Sequence, residues 1–113
     1  MNSIQLVGRL TADPELRYSP TGTAIGKFRI AVPRRGGDDA GADFVDIVAF
    51  NRLGEVCAEH LGKGRQVAVT GRLNYSEWTA EDGGRRSRHE VIAEDVTFLG
   101  SPARDQAPEP AVA

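Results

Sequence analysis

The chain has 113 residues, of which 40% are hydrophobic and 27% charged, so it is long enough to bury a core without disulfides or metals. The net charge of −2 does not favour a uniformly basic nucleic-acid binder, although 12 of the 14 basic residues are arginine, which can grip phosphate and stack on rings. Because Cys57 is the single cysteine, and neither a signal peptide nor a membrane-length apolar run is evident, a cytoplasmic protein without membrane contacts is expected.

Two strands are predicted in the first third of the chain. Residues 4–10, IQLVGRL, form an apolar run, and residues 13–22, DPELRYSPTG, are rich in turn-forming residues. Residues 23–32, TAIGKFRIAV, alternate between small or apolar side chains and the cations Lys27 and Arg29. This alternation predicts a strand with one core face and one polar face.

A third strand is predicted at residues 43–50, DFVDIVAF, after a glycine- and aspartate-rich loop at residues 33–43. One face of this strand is an ordinary core face, with Val45, Ile47 and Ala49. The other face carries Phe44, Asp46, Val48 and Phe50. Since an unpaired carboxylate is costly to bury, this second face is expected to be open to solvent.

A helix is predicted at residues 52–62, RLGEVCAEHLG, where the apolar period changes from two to about 3.6. Gly62 is placed to cap its C-terminal end. The predicted packing stripe consists of Leu53, Val56, Cys57, His60 and Leu61.

Two further strands follow the helix. Residues 64–73, GRQVAVTGRL, resume the alternation, with Leu73 on the inner side. Residues 79–88, TAEDGGRRSR, predict a polar hairpin loop, and residues 89–100 predict the last strand. Residues 101–113 hold three prolines and almost no bulky apolar groups, so they predict a disordered C-terminal tail.

This order predicts an all-β OB-fold, a five-stranded Greek-key barrel with one helix between strands 3 and 4. The domain is expected to span residues 1–100. No catalytic motif is recognisable, because His60 and His89 lie far apart in sequence and neither has a partner motif. Cys57 and His60 are spaced like half of a metal pair, but there is no second cysteine and only one further histidine, so helix packing is expected and neither a metal nor a cofactor.

Seven aromatic residues divide into core and surface candidates. Phe28 and Phe98 fit core faces, and Tyr75 is assigned to packing because it has the parity of Leu73. Trp78 instead has the parity of Arg72 and sits beside a polar hairpin. Unpaired bases can stack on exposed rings of an OB barrel, so the exposed rings are predicted to form a base-stacking surface. The predicted rings are Phe44, Phe50 and Trp78. The alternative is that loops or another subunit cover Phe44 and Phe50.

The sequence resembles the bacterial single-stranded DNA-binding protein family over residues 2–100. The matching segments are IQLVGRLTADPELRYSPTGTAIGKFRIAV, FVDIVAFNRLGEVCAEHLGKGRQVAVTGRL, EWTAEDGG and EVIAEDVTFLG. The resemblance implies an OB fold, usually a homotetramer, that coats single-stranded DNA without sequence preference in replication, recombination and repair. It implies no enzymatic activity.

Roles carry over by position. Phe44 and Trp78 match positions where the family has stacking tryptophans, and Phe50 matches a stacking phenylalanine. Arg52 and Lys63 match basic positions that contact the DNA backbone, and Arg17, Arg72 and Arg86 are further expected contacts. Arg34 and Arg35 occupy a loop where members often carry another tryptophan, so guanidinium contact is expected to replace a ring there.

Two departures from the family pattern leave alternative functions open. Asp46 and Glu77 are acidic where members are often basic, which is expected to weaken phosphate binding locally. The end of the sequence, EPAVA, lacks the acidic tip that recruits replication and repair enzymes, so recruitment by that route is not expected. This resembles the shorter paralogues that coat DNA in processes such as natural transformation. The alternative function is an OB-fold assembly module of the primosome type, acting mainly through protein contacts; an enzyme on an OB barrel ranks third.

Overall fold

The computed structural model describes residues 1–36 and 40–100. These residues form six strands and one helix: β1 (Ile4–Leu10), β2 (Glu15–Tyr18), β3 (Ala24–Pro33), β4 (Ala42–Phe50), α1 (Asn51–His60), β5 (Gln66–Thr79) and β6 (Arg85–Leu99). The predicted tail at residues 101–113 lies outside the described residues, as do residues 37–39 of the predicted loop between β3 and β4.

The strands close into a barrel. Their order in the sheet is β1-β5-β6-β4-β3-β2, and β1 also pairs with β3 through Arg9–Ala31 and Leu10–Ile30, which closes the ring. All neighbouring strands are antiparallel except β4 and β6, which run parallel. The predicted OB-fold is confirmed.

The strand count differs from the prediction by one. β2 lies in the segment predicted as a turn-rich excursion, so the helix lies between β4 and β5. All four residues of β2 are exposed, and the strand is held by backbone pairing to β3. Its four residues, ELRY, do alternate between charged and apolar side chains, but so short a run between Pro14 and Pro20 is outweighed by the turn signals around it.

The barrel core consists of alternate residues from the long strands. Its most fully buried side chains are Ile30, Ile47, Val67, Val69, Val91 and Cys57. The core face predicted for the third strand is therefore confirmed at Ile47 and Ala49, and Val45 packs against the same cluster. Burial of aliphatic side chains of this size stabilises a fold by about 1.5–3 kcal/mol each.

α1 begins without a connecting loop. Asn51 has a φ of 62°, a left-handed conformation that asparagine tolerates, so the chain turns directly from β4 into the helix. The predicted cap at Gly62 is wrong, because the helix ends at Leu61 in extended conformation, with its N–H donating to the Cys57 carbonyl. The glycine with left-handed backbone in this segment is Gly64, at φ 87°. His60, predicted on the packing stripe, is exposed.

β5 and β6 continue beyond the barrel as a two-stranded arm, residues 73–90. Its turn is short, since Ala80 N–H donates to the Gly84 carbonyl, and half of the predicted loop at residues 79–88 is therefore strand. The predicted inward packing of Leu73 and Tyr75 is wrong, because both are exposed, Tyr75 at 52%. Their parity is as predicted, but no barrel lies beneath that face of the arm.

Among the described residues, the structure holds no helix with the length and apolar character needed to cross a membrane.

Candidate nucleic-acid interface

The outward face of β4 presents two aromatic rings. Phe44 is 64% exposed and Phe50 39% exposed, while Ile47 and Ala49 on the other face are fully buried. The burial pattern follows the predicted alternation at these four positions but not at Val48. Val48 lies between the rings on the outward face and is buried, with Lys27 of β3 and Ile92 of β6 as its cross-strand neighbours.

Cross-strand register carries this face onto β3 and β2. Asp46 is opposite Arg29, and Phe50 is opposite Ile25, which is in turn opposite Arg17 of β2. Directly opposed residues in an antiparallel pair lie on the same face of the sheet. Cations from two neighbouring strands, β2 and β3, thus lie beside the two rings.

The same register argument places Trp78 on this face. Val48 of β4 pairs with Ile92 of β6, and Ile92 pairs with Arg72 of β5. Because Trp78 lies six residues beyond Arg72 on one strand, both side chains have the same parity. Trp78 is 44% exposed.

Two arginines of β6 flank the indole. Arg86 is opposite Trp78 in the ladder, and the Arg88 guanidinium carbon lies 5.2 Å from the ring centroid. This distance is within the range of a cation–π interaction. Arg86 also forms an ion pair with Asp82 of the turn, at 2.9 Å.

We call the surface defined by these strands the outer face. Its members are Arg17, Ile25, Lys27, Arg29, Phe44, Asp46, Phe50, Arg72, Trp78, Arg86 and Arg88.

An open groove of about 350 Å³ crosses the middle of the outer face. Its charged lining includes Lys27, Arg29, Asp46, Arg88 and Glu90. Arg29 Nε lies 2.9 Å from Asp46 Oδ1, and this hydrogen bond raises the pKa of Arg29, so the guanidinium stays charged. Arg88 Nη1 lies 3.4 Å from Glu90 Oε2. The groove therefore combines cations with carboxylates that already contact them.

The remaining predicted cations lie around the outer face rather than on it. Arg52 is in the first turn of α1, two residues after Phe50, and its Nη1 lies 3.5 Å from Glu55 Oε1. Lys63 follows the helix, where its backbone N–H donates to Asp13 Oδ1 at 2.9 Å.

Arg34 and Arg35 follow β3, at the end of the sheet nearest Phe44. Arg34 forms an ion pair with Asp43, at 2.9 Å, and Arg35 is exposed. The next three residues of the loop, 37–39, lie outside the described part of the chain.

Glu77 lies on the opposite side of the arm from Trp78. Its carboxylate accepts a 2.6 Å hydrogen bond from the Tyr75 hydroxyl and forms an ion pair with Arg85. These two contacts hold the pKa of Glu77 below its usual range. The rings of Tyr75 and His89 lie beside each other on the same side, with centroids 4.9 Å apart. The acidic side chain of Glu77 therefore faces away from Trp78, the predicted stacking residue next to it in sequence.

Nothing in the described residues assembles a metal site, since no three side chains of His, Cys, Asp and Glu cluster there. Cys57 is fully buried, and this burial raises the pKa of its thiol to about 11. A thiol in that state packs as a small apolar group rather than acting as a nucleophile or ligand.

Three cations of the outer face were missing from the predicted set: Lys27, Arg29 and Arg88. The alternation in strand β3 already placed Lys27 and Arg29 on the polar face, which was an available signal. Arg88 was missed because it was predicted to lie in a loop, where side chains do not alternate between two faces as they do on a strand. A hairpin loop limited to residues around the two glycines would have placed it on the strand.

Comparison with known proteins gives a consistent result. The profile of the Single-strand binding protein family matches residues 1–99. The Single-stranded DNA-binding protein of Clostridium perfringens is 43% identical over 102 residues, covering 89% of this chain and 67% of the relative. That of Treponema pallidum is 47% identical over 105 residues, covering 89% of this chain and 59% of the relative.

Single-stranded DNA-binding protein 3 of Clostridium acetobutylicum is 43% identical over 102 residues, covering 88% of this chain and 71% of the relative. A profile match over nearly the whole described region, together with these identities, agrees with the barrel fold. The chain belongs to the single-strand binding protein family.

Proposed function

We propose that this protein binds single-stranded DNA without sequence preference, using residues 1–100 as the binding unit. The observation that carries the proposal is the placement of three exposed rings, Phe44, Phe50 and Trp78, on one face of the barrel. Bases stack on such rings irrespective of their identity, at about 1–3 kcal/mol per base. The relatives that match the chain are named for the same ligand.

Contacts to the DNA backbone come from the arginines and lysines in and around the outer face. The proposed phosphate-binding residues are Arg17, Arg34, Arg35, Arg52, Lys63, Arg72 and Arg86. Lys27 and Arg88 join them on the basis of their positions beside Val48 and Trp78. Five of these cations, Arg17, Lys27, Arg72, Arg86 and Arg88, share the outer face, so the net charge of −2 is compatible with binding a polyanion there.

One titration tests the proposal. Trp78 is the only tryptophan, so its emission reports on the interface without labelling. Saturating poly-dT is expected to quench this emission, and binding is expected to weaken as salt rises because counterions leave the DNA. Double-stranded DNA of equal length serves as the control and is expected to bind much less tightly. Unchanged emission at saturation would remove Trp78 from the interface, and equal affinity for both forms would contradict the proposed preference.

Assembly into a homotetramer is part of the proposal. β1 pairs with β5 from Ile4 to Arg9, but it reaches β3 only through Arg9 and Leu10. Within the described residues, the second edge of Ile4–Val7 has no strand beside it, and exposed Val7 adds an apolar side chain there. Such an edge favours pairing with a second copy across a two-fold axis. Sedimentation at micromolar concentration is expected to show a species larger than a monomer.

The cellular processes proposed are DNA replication, recombination, repair or transformation, in the cytoplasm at the nucleoid. The competing function is a primosome-type assembly module, and the exposed Leu73 and Tyr75 on the side of the arm away from Trp78 favour it. That function predicts weak DNA affinity together with a tight protein partner. A pull-down beside the DNA titration separates the two.

A further inference from the structure

The central arginine of the outer face is engaged by a carboxylate from the neighbouring strand. Arg29 Nε lies 2.9 Å from Asp46 Oδ1, and Arg29 Nη2 lies 3.5 Å from Asp46 Oδ2. The two residues are directly opposed in the β3–β4 ladder. Both side chains remain accessible, at 56% and 38% of their surface. The guanidinium thus presents one full edge to a pair of anionic oxygens at the bottom of an open groove.

We propose that Arg29 binds a backbone phosphate of single-stranded DNA, and that Asp46 occupies its guanidinium until the DNA displaces it. This inference rests on the proposed function. A phosphate offers two anionic oxygens to the same Nε–Nη2 edge, so it can replace the carboxylate bond for bond. Exposed ion pairs contribute little to stability, so the exchange leaves the fold intact.

The position of the pair supports this role. Asp46 lies between Phe44 and Phe50 on β4, and a strand rises about 3.3 Å per residue, so the two rings are roughly 20 Å apart. DNA stacked on both rings has to cross the groove that Arg29 lines. Lys27 and Arg88 line the same groove and can hold neighbouring phosphates.

The groove also contains carboxylates that oppose DNA, and most of them are already engaged. Glu90 contacts Arg88 at 3.4 Å, and Asp13 accepts the Lys63 N–H. Glu15, on β2 opposite Lys27, adds a further negative charge. In the free protein these carboxylates offset the cations of the groove. Arg29 therefore contributes little long-range attraction and acts only once DNA reaches the outer face and exchanges with Asp46.

The test compares four variants by anisotropy of a labelled oligo-dT across a series of salt concentrations. They are Arg29→Gln, Asp46→Asn, the double variant, and the control Asp95→Asn, whose carboxylate lies on β6 opposite Thr70. Arg29→Gln is expected to weaken binding. Asp46→Asn is expected to tighten binding at low salt and to steepen the log–log salt slope by up to about 0.7, since in the wild-type protein the displaced Asp46 carboxylate takes up a cation and offsets the counterion released at the phosphate that Arg29 binds. With a slope change of that size, each fivefold dilution of salt raises the affinity of Asp46→Asn relative to the wild-type protein about threefold.

The double variant decides between exchange and simple repulsion. If Asp46 acts by occupying Arg29, the gain from Asp46→Asn disappears when Arg29 is glutamine, and Asp95→Asn produces a much smaller gain. An equal gain in both backgrounds means that Asp46 only repels DNA, and weaker binding by Asp46→Asn means that it orients Arg29; either result overturns the proposal. Wild-type protein that fails to bind oligo-dT contradicts the proposed function itself. Thermal unfolding of each variant verifies that the fold is intact.

Discussion

Val48 of β4 pairs with Ile92 of β6, and this parallel contact joins the arm to the barrel face that carries Phe44 and Phe50. Ile92 is in turn opposite Arg72, so the parity of β5 brings Trp78 onto that face as well. Trp78 thereby shares one surface with two rings that precede it by 28 and 34 residues in the sequence. Arm residues that alternate with Trp78 along β5, including Tyr75, point to the other side of the arm and can serve as control positions for substitutions.

Removing the three rings is expected to abolish tight DNA binding. The triple variant Phe44→Ala, Phe50→Ala, Trp78→Ala loses about 1–3 kcal/mol per stacked base, which sums to several kcal/mol. Tyr75→Ala is the matched control, because Tyr75 is similarly exposed but lies on the opposite side of the arm. Anisotropy of a labelled oligo-dT measures both. Affinity that survives in the triple variant, or falls equally in Tyr75→Ala, would show that stacking on the outer face is not the mechanism.

Arg88 and Arg85 are expected to differ although each places one positive charge on the arm. Arg88 stacks against Trp78, whereas Arg85 pairs with Glu77 on the other side. Arg88→Ala is expected to weaken oligo-dT binding several-fold and to reduce the log–log salt slope by about 0.7. Arg85→Ala is expected to leave the slope unchanged. Equal slopes for the two variants would mean that the arm attracts DNA only through its total charge.

How far the interface could be read from the sequence depends on the kind of information each residue carries. The exposure of Phe44 and Phe50 followed from alternation within one strand, which needs no knowledge of neighbouring strands. The pairing of Arg29 with Asp46 did not, because it depends on the register between β3 and β4. Tyr75 was misplaced because parity gives the face of a strand but not the point at which the barrel beneath it ends.

The contact between α1 and β3 is expected to be intolerant of a single methyl group. A Cβ at Gly26 would lie 2.7 Å from the backbone oxygen of Gly54, where neither side can move easily. Gly26→Ala is therefore expected to destabilise the fold by about 1–3 kcal/mol. Gly62→Ala is the control, because its Cβ would meet Asp13 at an ordinary 3.5 Å. Thermal unfolding measures both variants, and each kcal/mol of lost stability is expected to lower the unfolding midpoint by about 4–8 °C in a domain of this size. Equal midpoints would show that the helix can shift to accommodate the methyl.

Cys57 is expected to be unreactive in the folded protein. Burial raises the pKa of its thiol to about 11, so the folded state keeps the proton at a pH where an exposed cysteine would already be losing it. Thiolate is the reactive form, and at pH 8 a pKa near 11 leaves about one thiol in a thousand ionised. A chromogenic disulfide reagent is therefore expected to label the native protein slowly and the guanidinium-unfolded protein at once. The native rate is also expected to rise steadily with pH above 8, as the thiolate fraction increases. Rapid native labelling that levels off near pH 9 would contradict the burial of this side chain between α1 and the barrel core.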